Sequence, residues 1–132
     1  MSDHSDDPAT SSTTLRISVY ETGSAVVVTV AGEVDLATAA QLESAASRGL
    51  EQAGKHLCVI DLTSVGFLGS PGLSALVRAA KQAENRQEPL RIVVDSNRPV
   101  IRPIEISGLD QVLSLYHTVE EALRPQGKQD GP

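Results

Sequence analysis

Apolar and polar residues alternate along "LRISVYE", Leu15 to Glu21, with the period of a half-buried strand. "TGS" follows as a turn. "AVVVTVAG", Ala25 to Gly32, is β-branched almost throughout and predicts a second strand, hairpin-paired with the first. The period then changes. Ala39, Leu42, Ala46, Leu50 and Ala53 form one apolar stripe at helical spacing, with Glu43, Arg48 and Glu51 largely outside it. Asp35 is the candidate N-cap of this helix and Gly54 its C-terminal stop.

"HLCVIDL", His56 to Leu62, stays apolar until Asp61 and suits a central strand covered on both faces. After a loop around Ser70, Leu73, Leu76, Val77 and Ala80 recur at i, i+3, i+4 and i+7, which predicts a second amphipathic helix. "PLRIVVD", Pro89 to Asp95, is another buried strand. "SNRPVIRPIEISGL" has helical character, but Pro103 lies inside it, so a break or kink is expected near Arg102. "QVLSLY" predicts a last strand. "TVEEALR" opens on a Thr118–Glu121 capping box and predicts a last helix.

The resulting order is β-β-α-β-α-β-α-β-α. Strands alternating with helices imply one α/β domain with a mostly parallel or mixed sheet of four to five strands and about four helices. The domain is expected over residues 15–125. Residues 1–14 and 126–132 lack apolar periodicity and are expected to be disordered tails.

Composition narrows the function classes. With 132 residues and 40% of them hydrophobic, the chain can build one real core. Aromatics are few (Tyr20, Phe67 and Tyr116), so that core rests on Val, Leu, Ile and Ala. The formal net charge is −6, no basic stripe stands out, and stacking aromatics are scarce. Nucleic acid is therefore not the expected partner. Cys58 is the only cysteine and sits in an apolar run, which predicts an inert buried thiol. The chain shows no transmembrane run and no signal peptide; a cytoplasmic protein with no membrane partner is expected.

The candidate chemistry lies in "SVGFLGSPGLSALV", Ser64 to Val77. Ser70 can be read as a nucleophile, a phosphate acceptor or a helix cap. A nucleophile elbow needs glycine two residues before and two after the serine. Gly72 fills the second place, but Leu68 fills the first. No histidine is clearly placed as a base. No phosphate-binding glycine loop and no cluster with metal-ligand spacing occurs, so neither a cofactor nor a metal is expected. The bland reading is an N-cap serine with Pro71 at the first helical position.

Four stretches, in order, change that weighting. "VIDLTSVGFLGSPGLSALV" resembles the central motif of STAS domains, in particular the bacterial anti-sigma factor antagonists. "GEVDLAT", Gly32 to Thr38, is similar to the family's motif after the second strand. "ISGL", Ile106 to Leu109, is similar to its S-G-L before the last strand, and "TVEEAL" to its final helix. The resemblance implies a STAS fold and a regulatory binding module with no catalytic activity. Ser70 aligns with the family's phosphorylated serine. The implied partner is an anti-sigma factor that is itself a serine kinase of the histidine-kinase-like ATPase type. Phosphorylation releases that partner, and a metal-dependent phosphatase of the PP2C type resets the cycle. Gly69, Pro71, Gly72 and Leu73 around the serine, with Glu33, Asp35 and Thr38 in the neighbouring loop, are the implied partner-binding residues. Two positions depart from the family pattern: Gly69 replaces its aspartate and Pro71 its second Ser/Thr. Both favour the alternative, a STAS scaffold that is not phosphorylated or a small-ligand-binding module.

Overall fold

Five strands form one sheet in the computed structural model, which describes residues 14–88 and 90–125. The strands are β1 (Arg16–Thr22), β2 (Ala25–Val34), β3 (Cys58–Leu68), β4 (Arg91–Val93) and β5 (Ser114–Tyr116). Their spatial order is their sequence order, β1-β2-β3-β4-β5. The β1–β2 hairpin is antiparallel, and every later pair is parallel. The predicted mixed sheet and α/β order are therefore observed. The expected tails fall outside the described residues, apart from Thr14, as does the expected strand start at Pro89.

Alternation along the strands sorts the side chains onto two faces. Val26, Val28 and Val30 of β2 and Ile60 and Leu62 of β3 point into the main core. Three helices cover that face: α1 (Ala39–Ala53), α2 (Ser70–Asn85) and α3 (Arg98–Ile106). On the opposite face Val27, Val59 and Val93 meet Ala122 of the short α4 (Val119–Ala122). Arg91, buried on β4, secures the end of α4. Its guanidinium donates to the carbonyls of Ala122 at 2.7 Å and Arg124 at 2.6 Å.

Each predicted stripe residue of α1 is buried, and Ala45 and Gly49 join them. The face of α2 is rotated from the predicted one. Gly72, Ala75, Leu76, Ala79 and Ala83 are buried, whereas Leu73 and Ala80 only flank the core. Small residues win because they let the helix backbone approach the sheet, while larger neighbours fill the margins. α3 runs through Pro103 without the expected break. Val100 and Ile104, four residues apart and fully buried, hold both turns to the core and outweigh the lost hydrogen bond. The capping box of α4 closes one residue early. Thr118 accepts from the Glu121 amide at 3.1 Å, while the Glu121 carboxylate accepts from the His117 amide at 3.0 Å.

Two consequences are measurable. A Cβ at Gly49 would lie 2.6 Å from a Val28 methyl and 3.1 Å from the Cys58 sulfur. Alanine would gain up to ~1 kcal/mol of helix propensity, but overpacking costs about 1–3 kcal/mol. Gly49→Ala is expected to lower the urea midpoint with an unchanged slope; a raised midpoint would show that the sheet yields. Burial also pushes the Cys58 thiol up to about 12 from its usual 9.0. An aromatic disulfide reagent at pH 8 should therefore label it only after unfolding. As pH rises, the unfolded chain loses this proton first, so the stability contribution holds below about pH 9 and declines above it.

Candidate functional site

The sheet's parallel strands end where two loops meet. β3 does not stop at Leu62, as its apolar run predicts, but continues to Leu68 beside β2. The last pairs are Glu33↔Phe67 and Val34↔Leu68, reached through two register shifts, between Thr29 and Ala31 and between Gly32 and Glu33. The Gly69 amide then donates to the Val34 carbonyl at 2.9 Å. The β2–α1 loop and the β3–α2 junction are thereby fixed side by side.

Ser70 is exposed and is the first residue of α2. It is not the N-cap. The Gly69 carbonyl accepts the first helical bonds, from Gly72 at 2.9 Å and Leu73 at 3.1 Å, so Gly69 is the cap. Pro71 sits one residue deeper than expected, where its missing N–H still leaves no helical bond unmade. No side chain caps this helix. The Ser70 hydroxyl therefore has no capping duty and faces solvent.

The neighbouring loop differs from expectation in detail. Helix α1 begins at Ala39 with Thr38 as N-cap, not Asp35. Asp35 instead builds the turn before it. Its carbonyl accepts from the amides of Thr38 and Ala39, and its carboxylate accepts from the Ala37 amide at 3.0 Å. Thr38, expected at the partner face, is 0% exposed. Its hydroxyl donates to the Glu33 carbonyl at 2.6 Å and accepts from the Asp35 amide at 3.0 Å. It holds the loop from within. Gly72 is buried too. A Cβ there would meet Leu68 Cδ1 at 2.6 Å and Val34 Cγ1 at 2.7 Å, so this glycine serves the seating of α2 on the strand ends rather than a partner's approach. Glu33 is exposed, Asp35, Gly69, Pro71 and Leu73 are half-buried, and all border Ser70's side of the domain in sequence or across the strand pair.

Two apolar residues that the sequence did not single out flank this site. Leu36, in the turn after Asp35, is 85% exposed, and Phe67, at the end of β3, is 51% exposed. Each stands beside another apolar residue, Leu36 before Ala37 and Phe67 before Leu68, a pattern indistinguishable from core residues until the strand's end is placed. Among the described residues no group of acids, histidines and cysteine could hold a metal ion. No described helix is long and apolar enough to cross a membrane.

A family model described as the STAS domain matches residues 16–122. The chain belongs to the STAS domain family. It is 37% identical over 109 residues to the anti-sigma-F factor antagonist RsfB of Mycobacterium tuberculosis, a match spanning 83% of this chain and 87% of that protein. It is 35% identical over 92 residues to the anti-sigma-B factor antagonist of Listeria monocytogenes, spanning 70% of this chain and 79% of that one. Among solved structures, an anti-sigma factor antagonist from Mycobacterium paratuberculosis superposes with a TM-score of 0.75 at 32% identity, over 84% of this chain and 92% of the other.

Within this STAS domain the loop depends on Thr38. Thr38→Val keeps the shape but strands the Glu33 carbonyl and the Asp35 amide, at a cost of about 1–3 kcal/mol. Thermal unfolding of Thr38→Val should fall below that of the native chain, and Thr38→Ser should recover most of the loss.

Proposed function

We propose that this STAS domain is an anti-sigma factor antagonist controlled by phosphorylation of Ser70. In the cytoplasm, the unphosphorylated domain, residues 15–125, binds an anti-sigma factor and so frees a sigma factor for transcription. The anti-sigma factor is a serine kinase of the histidine-kinase-like ATPase type. It transfers a phosphoryl group to Ser70 and lets go, and a PP2C-type phosphatase restores the hydroxyl. The reading is of a regulatory binding module, not an enzyme. Glu33, Asp35, Gly69, Pro71 and Leu73 border the contact, while Thr38 and Gly72 hold its shape.

The observation that carries this reading is the position of Ser70: exposed, first in its helix, and relieved of capping by Gly69. A phosphoryl group there adds about −1.5 to −2 charges. The helix N-terminus favours an anion by about 0.3–1 kcal/mol, so the fold tolerates it. An interface closed over the same atom does not, because an unpaired buried charge costs several kcal/mol. Every 1.4 kcal/mol is about tenfold in affinity. Release without unfolding follows from the difference. The relatives' names, each an anti-sigma factor antagonist, support the same partner class.

A second reading has its own support. Gly69 and Pro71 alter the loop that a kinase reads, which favours a STAS scaffold that is never phosphorylated. Pull-down from the source cell with Ser70→Ala and Ser70→Asp separates the two. Ser70→Ala should retain an anti-sigma factor and Ser70→Asp should lose it, with equal melting temperatures. Incubation of the native chain with ATP and that anti-sigma factor should add the mass of one phosphoryl group, absent from Ser70→Ala. Equal recovery by both variants and no mass gain would establish the scaffold.

A further inference from the structure

An apolar groove of about 400 Å³ lies between the end of β3 and α3. Phe67 and Leu68 form one wall; Pro99, Pro103 and Ile106 form the other. These three recur at i, i+4 and i+7, a stripe distinct from the buried Val100 and Ile104 of the same helix. Ile106 is 74% exposed, so the helix offers apolar surface that its own domain does not cover. The walls are held together independently of any occupant. Asn97, the N-cap residue of α3, donates from its side-chain amide to the β3 carbonyls of Leu62 at 2.9 Å and Val65 at 2.7 Å. Two prolines stiffen the helix itself.

Charge identifies the occupant. Arg98 and Arg102, one turn apart, complete the lining. Both are exposed, and neither is in an ion pair among the described residues, although Glu105 stands on the same helix. In a chain of net charge −6, two uncompensated guanidinium groups on an apolar groove run against the overall field. They suit carboxylates, which arginine binds in a fork geometry. The groove is also continuous with the switch. Phe67 is three residues before Ser70, and a Cβ on Gly69 would be 3.1 Å from the Phe67 ring.

We infer that this groove docks an acidic segment with one apolar face, contributed by the anti-sigma factor, an inference that rests on the function proposed above. The segment's apolar side chains fill the space between Phe67 and Ile106, and its carboxylates pair with Arg98 and Arg102. The phosphoryl group on Ser70, three residues from the groove wall at Phe67, then repels the same acids, a repulsion that salt screens with a length of ~8 Å at physiological ionic strength. Release thus has an electrostatic component beyond steric blockage.

The test uses the full chain and the purified anti-sigma factor retained by Ser70→Ala, with affinity measured by calorimetry at low and high salt. Ile106→Ser and the double variant Arg98→Glu/Arg102→Glu should each weaken binding about tenfold or more. The charge reversal should also flatten the salt dependence, and Arg98→Lys/Arg102→Lys should restore it. Melting temperatures should stay unchanged, since all three residues are exposed. Amide exchange across α3 should slow in the complex. Unchanged affinity in these variants, with Ser70→Asp still abolishing binding, would overturn the groove and leave the switch standing. A change confined to self-association would assign the groove to a second copy and overturn it equally. If no anti-sigma factor is retained at all, both readings fall together.

Discussion

The hydrogen bond from the Gly69 amide to the Val34 carbonyl fixes where the exposed serine stands. It extends the parallel pairing of β2 and β3 by one step past its last residues. With Val34↔Leu68 the last strand pair, this bond ties the first residue of the β3–α2 junction to the residue that leads into the β2–α1 loop. Junction and loop leave the sheet at the same edge, the carboxyl end of parallel strands, where α/β sheets present their functional loops. Gly72 adds the second half of the constraint. Because its missing Cβ leaves room for Val34 and Leu68, the first turn of α2 presses onto the strand ends. Ser70, which opens that turn, is therefore held at the corner where the two loops meet, and it is exposed.

That corner is poorly equipped to absorb an anion, which matters for a switch. Helix N-termini attract phosphates through free amides. Here the Gly69 amide is committed to Val34, Pro71 has none, and the Gly72 amide is bonded to the Gly69 carbonyl. A phosphoryl group on Ser70 gains the long-range helix dipole but few local donors. It stays at the surface, in water, where a docking partner must confront it. A loop rich in free amides would fold around the phosphate and soften that confrontation.

Much of the fold was legible because burial follows simple periods. The α1 stripe, the β-branched second strand and the closing helix each carry an undisturbed pattern. The misread segments are those in which tertiary contact overrides the period. The apolar run predicts an end to β3 at Leu62 because the later buried residues, Val65 and Leu68, recur at a spacing of three, not two. The register shifts against β2 accommodate that spacing, and an alternation rule cannot anticipate them. α2 was rotated because Gly72, Ala75 and Ala79 weigh little on a hydrophobic scale, although close approach makes them the core face. Pro103 predicted a break that buried Val100 and Ile104 prevent. At the site, Ser70 and its surroundings were legible only through the family pattern. Thr38 looked like a surface residue because its hydroxyl partners, the Glu33 carbonyl and the Asp35 amide, are backbone groups that no side-chain pattern records.

The two departures from the family pattern act in different ways. Pro71 changes little in the helix, since the second helical position has no bond to lose. Gly69 changes the electrostatics. Its backbone, at φ −91° and ψ 179°, is extended and open to any residue, so conformation does not require glycine. What glycine permits is the approach of the Phe67 ring, which a Cβ would meet at 3.1 Å. What it removes is the aspartate charge that the family carries beside the serine. With that carboxylate present, phosphorylation deepens an existing negative potential. Without it, the residues on either side of the serine are uncharged, and the phosphoryl group takes the junction from neutral to about −1.5 to −2. Under the proposed phosphorylation of Ser70, the contrast between the two states of this junction is therefore larger, and an apolar ring lies against its neutral form.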